Sequence, residues 1–368
     1  MRRAHTMATA PTAPTALVLG VLAVLGAAPS GRTQDDADAL IQSVAAIEIR
    51  LDTKRDKAGK LEAKLSAPIR RALNEWAELA DGLGMSIVVP KRAAALVIGA
   101  CDESRLRDAA GWLDATWALF EDLHPPEAEP ERALAAFLID EEGYRSDAWP
   151  GLLDAFVARN MLTHEARDPL ARGETGLTLR DALVFVQPTF DIAGDASAGD
   201  DEFRLGNEVA HKAVWCLVRD RFGEVPEMLR WGLGYVAEQR LFGAIYQFDR
   251  AGFVATSEHF DWPKQAAASI TGRADTSLAR LALQAEEAGR AGVSQRVVWG
   301  ALDYMLHKRP EALATMLDQL AALQVEATPY GPRPTFVGDA DRARAILASH
   351  LDALDLAAVA KHVKTIKS

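Results

Sequence analysis

The sequence predicts an α+β fold, with a small mixed β-sheet preceded by a helical hairpin and followed by a mainly helical C-terminal half. Short apolar runs bounded by Gly and Pro lie between residues 85 and 187 and are typical of buried strands. Apolar residues at spacings of three and four, typical of helices, fill residues 37–83 and the chain from residue 202 onward. Because helices and strands are grouped along the chain rather than alternating, the pattern indicates the α+β class.

Composition excludes some classes of protein. The chain has 368 residues, of which 49% are hydrophobic, so a large core is available and global disorder is excluded. Acidic residues outnumber basic ones, 52 to 41, and no clustered basic surface is evident, so we expect no nucleic-acid partner. The most basic stretch, Lys54–Lys64, is interrupted by Asp56 and Glu62 and is typical of a solvated helix face.

Residues 1–30 have the organisation of a secretory signal peptide. Arg2 and Arg3 supply positive charge, and the 13-residue apolar run Ala16–Ala28 ends in small residues suited to cleavage. Thirteen helical residues span about 20 Å, short of the roughly 30 Å hydrocarbon core of a membrane. We therefore expect export to the periplasm, the cell envelope or the medium, with no stable membrane span after signal cleavage.

Residues 31–84 are predicted to form a helical segment ahead of a main domain over residues 85–368. Six apolar side chains step by three or four positions and form a narrow stripe: Leu61, Leu65, Ile69, Leu73, Trp76 and Leu79. Such a stripe needs a partner surface, so it predicts a helical hairpin packed on the main domain.

The main domain is predicted to begin with four strands and one long helix. The strands are residues 85–89, 94–100, 133–139 and 183–187. The helix begins after Asp102 or Ser104, either of which can cap it, and ends at His124.

A glycine- and aspartate-rich stretch, residues 191–201, is predicted to be a solvated loop. Its acids do not match the spacing of an EF-hand calcium loop. From residue 202 on, mostly helices are expected, among them one over Pro226–Phe242 and others near 275–289, 294–307 and 310–323.

The helix after this loop contains Asn207-Glu208-Val209-Ala210-His211. The stretch is one residue away from HExxH, in which two His at i and i+4 bind Zn²⁺ and the Glu between them acts as general base. Asn207 occupies the position of the first zinc ligand. We expect this helix to be amphipathic.

A second stretch, Pro226-Glu227-Met228-Leu229-Arg230-Trp231-Gly232-Leu233-Gly234-Tyr235, follows on the next predicted helix. Together the two stretches resemble gluzincin metallopeptidases and the peptidase MA-like domains of secreted proteins, over roughly residues 94–350. In that family the third zinc ligand is a Glu on this helix. Trp231 stands at its position, 20 residues after His211, which is a usual spacing there.

The resemblance implies a zincin-like domain with a degenerate site. One imidazole, that of His211, cannot hold zinc alone, the Asn207 amide oxygen is a poor ligand, and Trp231 cannot coordinate. His211 is then a hydrogen-bonded remnant, and Trp231 fills the metal's space or forms the floor of a cleft. Glu208, the vestigial general base, lacks an activated water and becomes a carboxylate bonded to Asn207, His211 or backbone amides.

The leading interpretation is therefore an exported pseudoenzyme that needs no cofactor and serves binding or structure. Its partner would be a peptide or protein segment lying in the cleft that the resembled fold has beside the motif helix. The alternative is an active zinc-dependent peptidase that uses His211 with Glu238 and His259. Glu238 shares the helix face of Trp231, two turns on. A third interpretation is a helical scaffold in which the motif is coincidental.

The chain has two cysteines, Cys101 and Cys216. The elements that carry them are neighbours in the resembled fold, so an exported protein can join them in a disulfide. The other interpretation is a pair of buried free thiols acting as small apolar side chains.

Overall fold

The computed structural model describes residues 47–49, 65–125, 130–172, 176–190, 204–223, 225–246, 248–249, 252–253, 262–272, 277–288, 291–323 and 339–366. The predicted signal peptide, the loop 191–201 and His259 lie outside these residues. So does the N-terminal half of the predicted hairpin, apart from one short strand.

The described residues form an α+β fold, as the sequence predicts. Its strands are β1 (Ile47–Ile49), β2 (Ser86–Val89), β3 (Ala95–Ala100), β4 (Leu134–Ile139), β5 (Leu177–Leu179), β6 (Val184–Pro188), β7 (Phe248–Asp249) and β8 (Gly252–Phe253). The main sheet has the order β1-β2-β3-β4-β6-β5, and β7 pairs with β8 apart from it. Strands β3, β4 and β6 are parallel, whereas β1, β2 and β5 pair antiparallel with their neighbours, so the sheet is mixed.

Helices account for most of the remaining described residues. In chain order they are α1 (Ala67–Gly82), α2 (Glu103–Leu123), α3 (Glu141–Arg145), α4 (Ala148–Ala158), α5 (His164–Arg172), α6 (Leu205–Phe222), α7 (Glu227–Phe242), α8 (Trp262–Thr271), α9 (Leu278–Ala288), α10 (Ala291–Lys308), α11 (Pro310–Ala321), α12 (Ala340–Asp352) and α13 (Leu356–Val363). A 3₁₀ turn, Arg180–Ala182, joins β5 to β6.

The helical prediction for residues 37–83 is wrong at Ile47–Ile49. This segment is strand β1, which pairs antiparallel with β2 so that Ile47 lies opposite Val89. Its Ile-Glu-Ile sequence alternates β-branched and polar side chains, and pairing satisfies the backbone groups along the open side of β2. Four residues of the predicted apolar stripe, Ile69, Leu73, Trp76 and Leu79, lie in α1, whereas Leu65 precedes this helix and Leu61 lies outside the described residues.

The sheet separates two apolar layers. Side chains alternate along each strand, so Val97 of β3 faces one layer and Leu96 the other. On one side, α1 and α4 bring Trp76 and Phe156 into edge-to-face contact with Phe137 of β4, at ring distances of 5.2 and 5.7 Å. On the other side, α2 and α6 cover the sheet. Helix α1 therefore packs on the main domain, as the apolar stripe predicts.

Helix α6 carries the motif and is buried on nearly all sides. It packs against β4 and β6 of the sheet, against α2, and most extensively against α7. Polar motif side chains, including Asn207 and Lys212, are buried along with the apolar ones. The amphipathic pattern predicted for this helix is wrong, because the helix is enclosed by the sheet and its helical neighbours.

Helix α7 joins the sheet layer to the C-terminal helices. It packs on α10, and Gly232 makes that approach close, because a Cβ there would lie 2.6 Å from side-chain atoms of Val298 and Leu302. Helices α8, α9, α11 and α13 in turn contact α10. Within the described part of the chain, no helix combines the length and apolar character needed to cross a membrane.

Candidate functional site

The motif residues meet in a buried cluster between α6 and α7. Asn207 and His211 lie one turn apart on the same face of α6. Helix α7 brings Glu238 against them, and His211 and Glu238 are both fully buried. The cluster therefore unites two degenerate ligand positions with the acid named as a replacement ligand.

Hydrogen bonds saturate the Glu238 carboxylate. Nδ1 of His211 lies 2.6 Å from Oε1 of Glu238. Nδ2 of Asn207 donates to Oε2 of Glu238 at 3.0 Å and to the carbonyl of Ala244 at 2.7 Å. The backbone N–H of Tyr246 donates to the same Oε2 at 2.6 Å. Both carboxylate oxygens thus accept bonds, and the cluster ties α6, α7 and the segment after α7 together.

Three aromatic rings enclose His211. The rings of Trp215, Trp231 and Tyr235 have centroids 5.1, 5.4 and 5.2 Å from the imidazole, in edge-to-face arrangements. Trp215 and Trp231 also contact each other at 4.7 Å. We call Trp215, Trp231 and Tyr235 the aromatic cluster. Trp231, at the third ligand position, therefore packs against the imidazole that the resemblance makes a ligand.

Gly234 closes the remaining side of the imidazole. A Cβ at this position would lie 2.6 to 2.8 Å from three atoms of the His211 ring. Real Cβ atoms do not approach ring atoms this closely, so only glycine leaves room for the histidine here. Gly234 thus accommodates the His211 ring rather than a metal ion.

A zinc ion does not fit the residues at the three motif positions. Catalytic zinc takes three protein ligands from His, Asp, Glu or Cys. Asn207 directs its amide nitrogen, a donor, into the cluster, and Trp231 offers an indole that cannot coordinate. Nε2 of His211 has no hydrogen-bond partner among the described residues, but the ring lies within the aromatic cluster. For the alternative set, Glu238 is already saturated and His259 lies outside the described residues.

Glu208, the vestigial base, faces a different group of polar side chains. Its Oε2 lies 3.8 Å from Nζ of Lys212, one turn along α6. Lys212 is buried and donates to the side chain of Gln187 at the end of β6. Burial lowers the pKa of Lys212, and the Glu208 carboxylate opposes that shift. The pair therefore has the geometry of a buried ionic contact within α6, and Lys212 links it to the sheet through Gln187.

Several members of these two groups were not predicted from the sequence. Trp215 lies one turn after His211, and Lys212 lies one turn after Glu208, so both are readable from helical spacing. Ala244 and Tyr246 take part through backbone atoms, a carbonyl and an N–H. The positions of these atoms depend on the conformation of the chain after α7. No sequence pattern marks them.

The two cysteines are free thiols in the structure. Cys101, at the end of β3, is partly buried, and Cys216 of α6 is fully buried. Burial raises the pKa of both thiols, that of Cys101 to about 12, where the nearby Asp140 adds to the shift. As free and largely buried groups they pack as small apolar side chains here, and the disulfide stays a prediction.

A second polar group, remote in sequence from the motif, has the spacing of a metal site. Asp303 and His307 of α10 and His362 of α13 place one ligand atom each within 4.8 Å of one another. This group was not predicted from the sequence. Asp303 and His307 are an i, i+4 pair, which is a readable signal, but the approach of His362 depends on the packing of α13 on α10.

Comparison with protein-family models, with curated proteins and with solved structures finds no match to this chain. The relation to gluzincins therefore depends on the motif residues, their spacing and the cluster they form.

Proposed function

We propose that this chain is an exported gluzincin-like pseudoenzyme whose former zinc centre has become a closed structural cluster. It would bind a peptide or protein segment, or stabilise an assembly, without hydrolysing it. The observation that carries the proposal is the enclosure of His211 by the Glu238 carboxylate and the aromatic cluster. A catalytic histidine needs access to metal and water, and this one has no exposed surface.

The spacing of the two helices supports descent from a gluzincin scaffold. Asn207 and His211 share a face of α6, Trp231 of α7 packs against His211, and Asn207 donates to Glu238 of α7, so the three ligand positions lie at the contact between the two helices, which agrees with the family pattern. Gly232 has a packing role against α10. Because all three ligand positions come together in space, loss of an ancestral zinc site explains the motif better than a coincidental match of the sequence does.

The edge of the main sheet supports a peptide as the partner. Strand β5 is the last strand in the sheet, pairs with β6 on one side, and contacts α6. Among the described residues, no other strand pairs with it. An edge strand can bind an extended peptide through backbone hydrogen bonds, while nearby pockets select its side chains.

The alternative, an active zinc peptidase, needs His211 and Glu238 to turn from each other toward a metal. Both carboxylate oxygens would have to release bonds from Asn207, His211 and the Tyr246 amide. A buried acid that loses such partners becomes costly to keep ionised. The saturated carboxylate therefore favours the pseudoenzyme.

The proposal is tested first by peptidase assays on the mature protein and on Glu208→Gln. Unstructured protein substrates with added zinc should give equal background rates for the two proteins. Hydrolysis by the wild type that Glu208→Gln abolishes would overturn the proposal in favour of the active enzyme.

A second test restores the ligand set by Asn207→His with Trp231→Glu. The variants are made in a His307→Gln background, which removes a partly exposed ligand-type side chain of the remote His/Asp group, so that this group contributes little zinc. The double variant should gain about one zinc per chain and rise in Tm with zinc, and Trp231→Glu alone should not. A folded double variant that takes up no zinc would overturn the gluzincin-like assignment.

A further inference from the structure

A compact group of three ligand-type side chains lies between α10 and α13. Nε2 of His362 is 2.7 Å from Oδ2 of Asp303. Nδ1 of His307 is 3.3 Å from the same oxygen and 2.8 Å from the Asp303 carbonyl. One carboxylate oxygen thus lies between two imidazoles that come from two different helices.

The types of side chain match a borderline divalent metal. Two imidazoles and a carboxylate are a ligand set that zinc uses in sites with an open position. Tetrahedral zinc with bonds near 2.1 Å places its ligand atoms about 3.4 Å apart. The separations of 2.7 and 3.3 Å to Asp303 reach that value with small side-chain rotations.

Burial differs across the group in the way that an open metal site requires. The Asp303 side chain is 4% exposed and that of His362 is 10% exposed, whereas that of His307 is 35% exposed. Asp303 and His362 are thus buried, whereas His307 lies near the surface, where water can occupy the remaining coordination position.

The neighbours of the group are compatible with a metal. The ring of Tyr304 packs edge-to-face on His362 at 5.5 Å and holds the orientation of that imidazole. Nη1 of Arg240 lies 2.8 Å from Nε2 of His307. Because a guanidinium only donates, Nε2 accepts and Nδ1 carries the proton. Arg240 is exposed, so it can move away when His307 binds a cation.

We propose that Asp303, His307 and His362 form a site for a divalent transition metal of the zinc type, with solvent at the remaining position. Binding would exchange the imidazole protons that face Asp303 for the metal and link α13 to α10. The site uses none of the motif residues, so it stands or falls separately from the proposed function.

The test is a zinc titration of the full mature protein after dialysis against a chelator. Isothermal calorimetry should give about one zinc per chain, and Co²⁺ in place of zinc should give the visible absorption of a low-symmetry nitrogen–oxygen site. His362→Gln and His307→Gln should each weaken binding by roughly 100-fold or more, since even outer partners of metal ligands are worth 10- to 100-fold.

His124→Gln is the matched control. Nε2 of His124 also contacts an aspartate, Asp318, at 3.0 Å, but this pair has no third ligand among the described residues. Its removal should leave zinc affinity unchanged. His307 is partly exposed, so His307→Gln should fold even if substitution of the buried Asp303 does not.

Two outcomes would overturn the proposal. One is the absence of zinc binding at millimolar zinc in folded wild-type protein. The other is zinc binding that persists in His307→Gln and His362→Gln. Persistent binding that His211→Gln abolishes would locate the metal at the motif and would overturn the proposed function as well.

Discussion

Nδ1 of His211 and Oε1 of Glu238 are 2.6 Å apart in the interior of the protein, and neither side chain has exposed surface. The bond joins α6 to α7 at His211, one of the positions that the resemblance to gluzincins assigns to a metal ligand. A metal ion and a carboxylate can each bind an imidazole nitrogen. Glu238 therefore connects α7 to His211 of α6 as a metal ion would, but without the catalytic chemistry of a metal. Unlike a metal, it needs further donors, which Asn207 and the Tyr246 amide supply.

We predict that Glu238→Ala strongly destabilises the protein. The substitution leaves the His211 Nδ1, the Asn207 amide and the Tyr246 N–H without their common acceptor in a buried place. Each buried polar group left unsatisfied typically costs about 1–3 kcal/mol, so the loss of this shared acceptor should cost several kcal/mol. Urea unfolding followed by circular dichroism would measure the free energy of unfolding.

Glu141→Ala is the control for this prediction. Glu141 forms an ion pair with Arg145, but both side chains are largely exposed, at 56% and 73%. Exposed pairs contribute about 0–1 kcal/mol, so this variant should unfold close to the wild type. Equal losses in the two variants would contradict the role assigned to Glu238.

We also predict opposite effects for alanine at two helical glycines, Gly234 of α7 and Gly82 of α1. A Cβ at Gly234 would press on the His211 ring, which the aromatic cluster prevents from moving aside. Overpacking of this kind costs about 1–3 kcal/mol. A Cβ at Gly82 meets nothing within 4 Å, so alanine should be neutral or stabilise by up to about 1 kcal/mol.

Thermal unfolding of Gly234→Ala and Gly82→Ala would measure the difference. If Gly234→Ala is as stable as the wild type, His211 has room to move, and the enclosed cluster is not the rigid core element described above.

The main strands were predictable from the sequence because each is a continuous apolar run. The run at residues 133–139 corresponds to β4, Leu134–Ile139, and the run at 183–187 to β6, Val184–Pro188. Strand β1 was not predicted, because three residues carry little periodic signal and its hydrogen bonds come from distant β2. Local sequence patterns predict strands whose own residues form a continuous apolar run. They do not predict a short strand that forms because it pairs with a strand distant in sequence.

The same limit applies to the polar sites. Helical spacing put Asn207 and His211 on one face, and placed Glu238 on the face of Trp231. It did not show that Glu238 would also accept a bond from the backbone N–H of Tyr246, because this residue lies in the segment after α7. His362 lies 59 residues from Asp303, so their meeting depends on tertiary packing alone.

The last prediction concerns the thiols and their dependence on pH. Cys101 has a pKa raised to about 12, mainly by burial. A raised pKa means that the reactive thiolate is scarce: at pH 8 it is about one part in ten thousand, rising about tenfold with each pH unit. Alkylation of Cys101 by iodoacetamide should therefore be slow at pH 8 and about a hundredfold faster at pH 10 in the folded protein.

Cys216 provides the internal comparison, because it is fully buried and should react only after unfolding in guanidinium. Mass spectrometry of the alkylated, non-reduced protein would assign each label to its cysteine, and Cys101→Ser should remove the labelling of the folded state. Recovery of Cys101 and Cys216 as a linked peptide pair from exported protein would contradict the free-thiol arrangement.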